Sequence, residues 1–73
     1  MTQSEFLKSV GMEVKVARIR SGMTVKQVEK LTGITDDTIN SIERGSRNTS
    51  IGFLKSIANA VGVSVKDFFI FVE

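Results

Sequence analysis

The tract from Thr24 to Gly45 constrains this chain more than any other feature, because it encodes two helix starts, a sharp turn and a helix stop in quick succession. Thr24 caps the first helix, with Gln27 three residues on as its reciprocal capping-box partner and Met23 and Val28 placed as an apolar staple. Thr35 caps the second, with Asp36 and Asp37 in its electropositive first turn and Ile34 and Ile39 as staple. Between them Gly33 can take positive φ, ending one helix and turning the chain. Val28, Leu31, Ile34, Ile39 and Ile42 recur at helical spacing and are expected to face inward, clamping both helices on one small core. Gly45 closes the second helix.

The flanking sequence continues the same pattern. From about Ser4 to Ser21, Phe6, Val10, Val14 and Ala17 form one stripe of a long opening helix. Gly11 inside it costs about 1 kcal/mol relative to Ala, so it marks either an irregular start or a close helix crossing. After Gly45 comes the polar loop Ser-Arg-Asn-Thr-Ser, then Ile51, Leu54, Ile57, Ala58 and Val61 on the stripe of a fourth helix that Gly62 ends. Ser64 with Asp67, and Val63 with Phe68, announce a last helix. The expectation is an all-α, compact five-helix domain spanning residues 1–73.

A chain of 73 residues buries about 60% of its unfolded surface and leaves little room for a deep substrate pocket. It has no Cys and no His, which removes disulfides, thiolate zinc sites and the commonest general base and metal ligand. No enzyme activity, cofactor, metal or small-molecule ligand is expected. The net charge of +2 and pI near 9.3 permit nucleic-acid contact without requiring it, since clustering matters more than the sum. No apolar run suits a bilayer span and no signal-peptide pattern opens the chain, so a cytoplasmic protein without membrane partners is expected.

Two short helices joined by a tight glycine turn are the arrangement that can push one helix into a DNA groove. The whole set of residues resembles the phage-repressor-like helix-turn-helix family, the Cro and xenobiotic-response-element class. The match rests on Gly11 with Val14 and Arg18, on Gly22-Met23-Thr24, on Gly33-Ile34-Thr35, on Ile39 with Ile42-Glu43-Arg44-Gly45, and on Ala60-Val61-Gly62-Val63-Ser64 leading to Asp67-Phe68-Phe69. Within that family, the polar tract Arg-Asn-Thr-Ser is similar to the small controller proteins of restriction-modification systems. The resemblance implies a structural ion pair between Arg18 and Glu43, fixing the first helix to the end of the third.

It also implies that the first turn of the third helix reads base edges, which falls here on Asp36, Asp37 and Thr38, with Asn40 and Ser41 one turn on. Carboxylates can accept from the cytosine amine but are repelled by phosphates, so stabilising the helix N-terminus is an equally adequate role for Asp36 and Asp37. Two departures stand out. Val25 replaces the Gln common in the family, and Glu29 replaces a small residue, so Glu29 either bends outward or loosens the crossing of the two helices. Thr24, Lys26, Arg44, Arg47, Asn48, Thr49 and Ser50 bracket the reading helix as candidates for the DNA backbone, with Arg47 and Asn48 foremost and a plain solvated loop as their alternative.

Three of the five Phe residues crowd the last six positions, and Phe68, Phe69 and Phe71 are expected to pack on a second copy, the alternative being a core cap with one ring exposed. The expected function is sequence-specific binding of double-stranded DNA by a homodimer that regulates transcription from paired half-sites. The alternative is a protein-interaction module, antitoxin-like or antirepressor-like, on the same fold but without DNA binding, for which Val25, Glu29, Asp36 and Asp37 speak.

Overall fold

A computed structural model describes residues 1–73 and contains helices only: α1 (Gln3–Arg20), α2 (Val25–Thr32), α3 (Asp36–Arg44), α4 (Ile51–Val61) and a terminal 3-10 helix (Val65–Phe69). The expected fifth α-helix is therefore a single tight turn. The Asp67 N–H donates to the Ser64 carbonyl at 3.0 Å, and the Val72 N–H to the Phe69 carbonyl at 3.0 Å. A segment this short gains too few i to i−4 bonds to offset helix nucleation, so the i to i−3 pattern prevails. Asp67 also accepts from the Ser64 N–H at 3.2 Å.

Helix α1 begins earlier than its apolar stripe suggests, because Thr2 and Glu5 form a capping box: the Thr2 N–H donates to Glu5 Oε1 at 2.8 Å and the Glu5 N–H to Thr2 Oγ1 at 3.1 Å. The helix runs unbroken through Gly11, which decides between the two readings of that glycine. A Cβ at position 11 would collide with the Ile42 carbonyl and lie 2.6 Å from the Glu43 carbonyl oxygen, so Gly11 is where α3 crosses α1. Gly45, at φ 70°, makes the second close approach, its missing Cβ giving way to the backbone of Lys8. Two contacts between backbones thus lock α3 across α1.

Val14, Val28, Ile39, Ile57, Ala58 and Phe68 are fully enclosed and form the centre of one apolar cluster to which every helix contributes. Leu31 and Ile51, both expected inside, are each 63% exposed. Helix α2 is short, packs against α3 and α4 and buries Val28 fully, while Leu31 falls on its flank beside Ser56 and Asn59. Ile51 occupies the first position of α4, before the helix reaches the core at Leu54. No helix is long and apolar enough to cross a membrane.

Candidate nucleic-acid interface

Helix α3 presents one apolar and one polar face. Ile39 and Ile42 enter the core, while Asp37, Asn40 and Arg44 are exposed and Thr38 and Ser41 half-exposed. The turn before it is firmly built. The Thr32 hydroxyl donates to the Val28 carbonyl at 2.8 Å and accepts from the Ile34 N–H at 3.1 Å, and Gly33 follows α2 at φ 78°. Thr35 Oγ1 accepts from the Thr38 N–H at 3.3 Å while its proton goes to Thr38 Oγ1 at 2.9 Å.

Two guanidinium groups lie on this face. Arg44 donates to Ser41 Oγ at 3.3 Å, and Arg47 reaches back from the loop to Thr38 Oγ1 at 3.5 Å. Ser41 Oγ is itself a donor to the Asp37 carbonyl at 2.9 Å. Asn48 is exposed beside Arg47. Ser50 caps α4 by accepting from the Phe53 N–H at 3.1 Å, and the N–H groups of Ile51 and Gly52 remain open at that helix start. Thr24 forms the capping box of α2 with Gln27 and stays exposed.

Thr49, Lys26 and Glu29 each have surroundings that the sequence does not show. Thr49 Oγ1 is sealed from solvent without a hydrogen-bond partner, so it cannot clamp a phosphate. Lys26, although exposed, lies 2.8 Å from Asp36 Oδ2 and 3.5 Å from Glu29 Oε1. Glu29 does bend outward, and its Oε2 accepts from the Asp36 N–H at 2.9 Å, across the turn. The Lys26 ammonium holds the Asp36 carboxyl below the usual carboxylate range, and Asp36 in turn raises Lys26.

Arg18 and Glu43 meet in a bidentate pair, Nε to Oε2 at 2.7 Å and Nη2 to Oε1 at 3.0 Å, and Arg18 Nη1 also donates to the Met23 carbonyl at 3.0 Å. One guanidinium therefore joins α1, the approach to α2 and the end of α3. The hydrogen bond to Glu43 raises the Arg18 pKa above its ordinary value, keeping the guanidinium charged.

Lys8 and Lys15, outside the bracketing set, line a groove between α1 and α3 together with Met12, Asn40, Glu43 and Arg44. Their sequence signal was the spacing Lys8, Met12, Lys15, one face of a helix, which becomes informative only once Gly11 and Gly45 fix α3 against α1. At the other end, Phe68 is fully buried, because the last turn drives it into the core, and it is no dimer contact. Phe69 and Phe71 pack against Phe6, with ring centroids 6.2 and 5.4 Å apart, and it is Ile70 and Val72 that stand exposed.

A family model described as helix-turn-helix, HTH_3, matches residues 14–68. An uncharacterized HTH-type transcriptional regulator, y4dJ, of Sinorhizobium fredii is 37% identical over 57 residues, covering 78% of this chain and 74% of its own. The clp gene regulator ClgR from C. glutamicum superposes with a TM-score of 0.84 at 25% identity, covering 89% of this chain and 84% of that one. The restriction-modification controller protein C.Esp1396I, a tetramer in complex with its natural 35 base-pair operator, superposes with a TM-score of 0.78 at 32% identity, over 90% and 87% of the two chains.

Proposed function

This chain belongs to the HTH_3 helix-turn-helix family of DNA-binding transcriptional regulators, and from that premise we propose that it binds specific duplex DNA as a homodimer. The observation that carries this reading is the outward face of α3, where Asp37, Thr38, Asn40 and Ser41 stand between the guanidinium groups of Arg44 and Arg47. Thr38, Asn40 and Ser41 offer donors and acceptors to base edges, and the Thr methyl suits a thymine methyl. Arg44, Arg47, Asn48, Thr24 and the open N–H groups beside Ser50 supply backbone contacts on either side, with Lys8 and Lys15 extending the cationic rim along α1.

Two copies bound to half-sites about 34 to 36 Å apart would place one α3 in each of two successive major grooves. The exposed apolar pair Ile70 and Val72 supports a contact between copies. The similarity to a controller that occupies its operator as a tetramer supports the binding of more than one copy to DNA. The competing reading, a protein-binding module, drew on four residues; two of its carboxylates, Glu29 and Asp36, are instead engaged within the motif.

Selection from randomised duplexes, followed by titration of the winner at several salt concentrations, tests the proposal. If a dimer neutralises about 6 to 8 phosphates, log affinity falls against log salt with a slope near −5 to −7. Absence of any complex at low ionic strength overturns it.

A further inference from the structure

The start of α3 is closed by its own chain. The Asp36 N–H goes to Glu29 Oε2, the Asp37 N–H to Asp36 Oδ1 at 2.8 Å and the Thr38 N–H to Thr35 Oγ1. By contrast, Ile51 and Gly52 leave their N–H groups open at the start of α4. No backbone donor in the first turn of α3 is left for a phosphate. The acceptor that completes this closure comes from the neighbouring helix, over seven residues and a turn, so it fixes α3 relative to α2 as well as capping it. Lys26, also on α2, bridges both carboxylates, Asp36 at 2.8 Å and Glu29 at 3.5 Å.

The two adjacent aspartates consequently differ. Asp36 has Oδ2 on Lys26 and Oδ1 on the Asp37 N–H, while the Asp37 carboxylate has no hydrogen bond or ion pair and is exposed. Successive residues on a helix point about 100° apart, so the two do not exchange roles without rotating α3. Such a rotation would break the Glu29 bond.

We propose that Glu29 is a positioning residue for base recognition: through the Asp36 N–H and Lys26 it holds the first turn of α3 so that Asp37, and not Asp36, is the carboxylate offered to the bases. This rests on the DNA-binding reading above. The ligand group an aspartate suits in the major groove is the cytosine amine, which donates. Glu29 touches no base; its effect is on the orientation of the helix that does.

The test uses duplex selection and titration with the full chain. Glu29→Gln and Glu29→Ala each remove one negative charge, so electrostatic repulsion by DNA falls equally in both; only Gln keeps an acceptor for the Asp36 N–H. Preference for the selected duplex over a random one is expected to stay within about twofold of the parent in Glu29→Gln and to fall about tenfold in Glu29→Ala. In parallel, Asp36→Asn keeps the preferred sequence, whereas Asp37→Asn changes the preferred base at one position per half-site. Equal discrimination by the two Glu29 variants, or a changed preferred base in Asp36→Asn with none in Asp37→Asn, overturns the inference. The aspartate arm decides the question if Glu29→Ala does not fold. A parent chain that selects no duplex at all overturns instead the DNA-binding reading on which this inference stands.

Discussion

Gly11 and the Arg18–Glu43 pair do at residue scale what no helix propensity could: they set one helix against another. Any side chain at position 11 meets the carbonyls of Ile42 and Glu43, backbone atoms that cannot swing away, so Gly11→Ala, which would help an isolated helix, is expected to destabilise the protein by about 2 to 4 kcal/mol. Chemical denaturation measures it directly. Arg18→Met strands Glu43, whose side chain is 6% exposed, and the expected loss is about 3 kcal/mol, read from the same experiment. Gly11 and Arg18 belong to the family pattern visible in the sequence, but the sequence leaves the glycine between an irregular start and a close crossing, because a close approach involves a partner distant in the chain. Glu29 shows the same limit from the other side. Its size left two readings, an outward bend or a loosened crossing, and only the spatial position of the Asp36 N–H reveals that the outward bend places an acceptor where a donor needed one.

At the scale of elements, the helix starts were legible because capping is local chemistry: Thr24, Thr35 and Ser50 each accept from the N–H three residues on, and Gly33, Gly45 and Gly62 all stand at positive φ after the helices they end. Thr2 with Glu5, and Ser50, fit the same rule, although the apolar stripes alone do not point to them as caps. The last element is a 3-10 turn and not an α-helix, since cap and staple residues define where a helix begins but not whether enough chain follows to sustain it. Two of the carboxylates at these starts contribute to the acid response. Glu5, hydrogen-bonded to Thr2, and Asp36, bonded to Lys26, both titrate below their ordinary values, so their contributions are fully present above the unfolded carboxylate range, about pH 4 to 5, and vanish as pH falls through the lowered folded values. Lys26 is raised, and its contribution persists until pH climbs past its unfolded value. With no histidine in the chain, the midpoint of thermal unfolding is expected to be nearly flat from about pH 5 to 9 and to drop below pH 4. Glu5→Gln should flatten the acid limb slightly, as followed by circular dichroism.

For the molecule as a whole, the division between what is inside and what faces outward decides which side chains the proposed contact between copies would use. Composition placed three rings near the end of the chain, and hydrophobicity alone could not rank them; the structure buries Phe68, leans Phe69 and Phe71 on Phe6, and leaves Ile70 and Val72 outside. A residue that fills the core and one that joins copies respond to different experiments. Phe68→Ala opens a cavity beside Val61, Val63 and Ala17 and should cost about 3 to 5 kcal/mol, a large share of the stability of so small a domain, whatever the protein concentration. Ile70→Lys with Val72→Lys alters side chains that are already 68% and 53% exposed, so the fold should melt within a few degrees of the parent. If these two residues join copies, the charged pair shifts the monomer–dimer equilibrium toward monomer in sedimentation. Binding to one isolated half-site should then stay near the parent value, apart from the gain from two added positive charges, while binding to the paired site loses its concentration-dependent advantage. Equal affinity of parent and variant for the paired site, at concentrations where the parent is dimeric, would remove Ile70 and Val72 from the contact and leave the helical face of α3 to act one copy at a time.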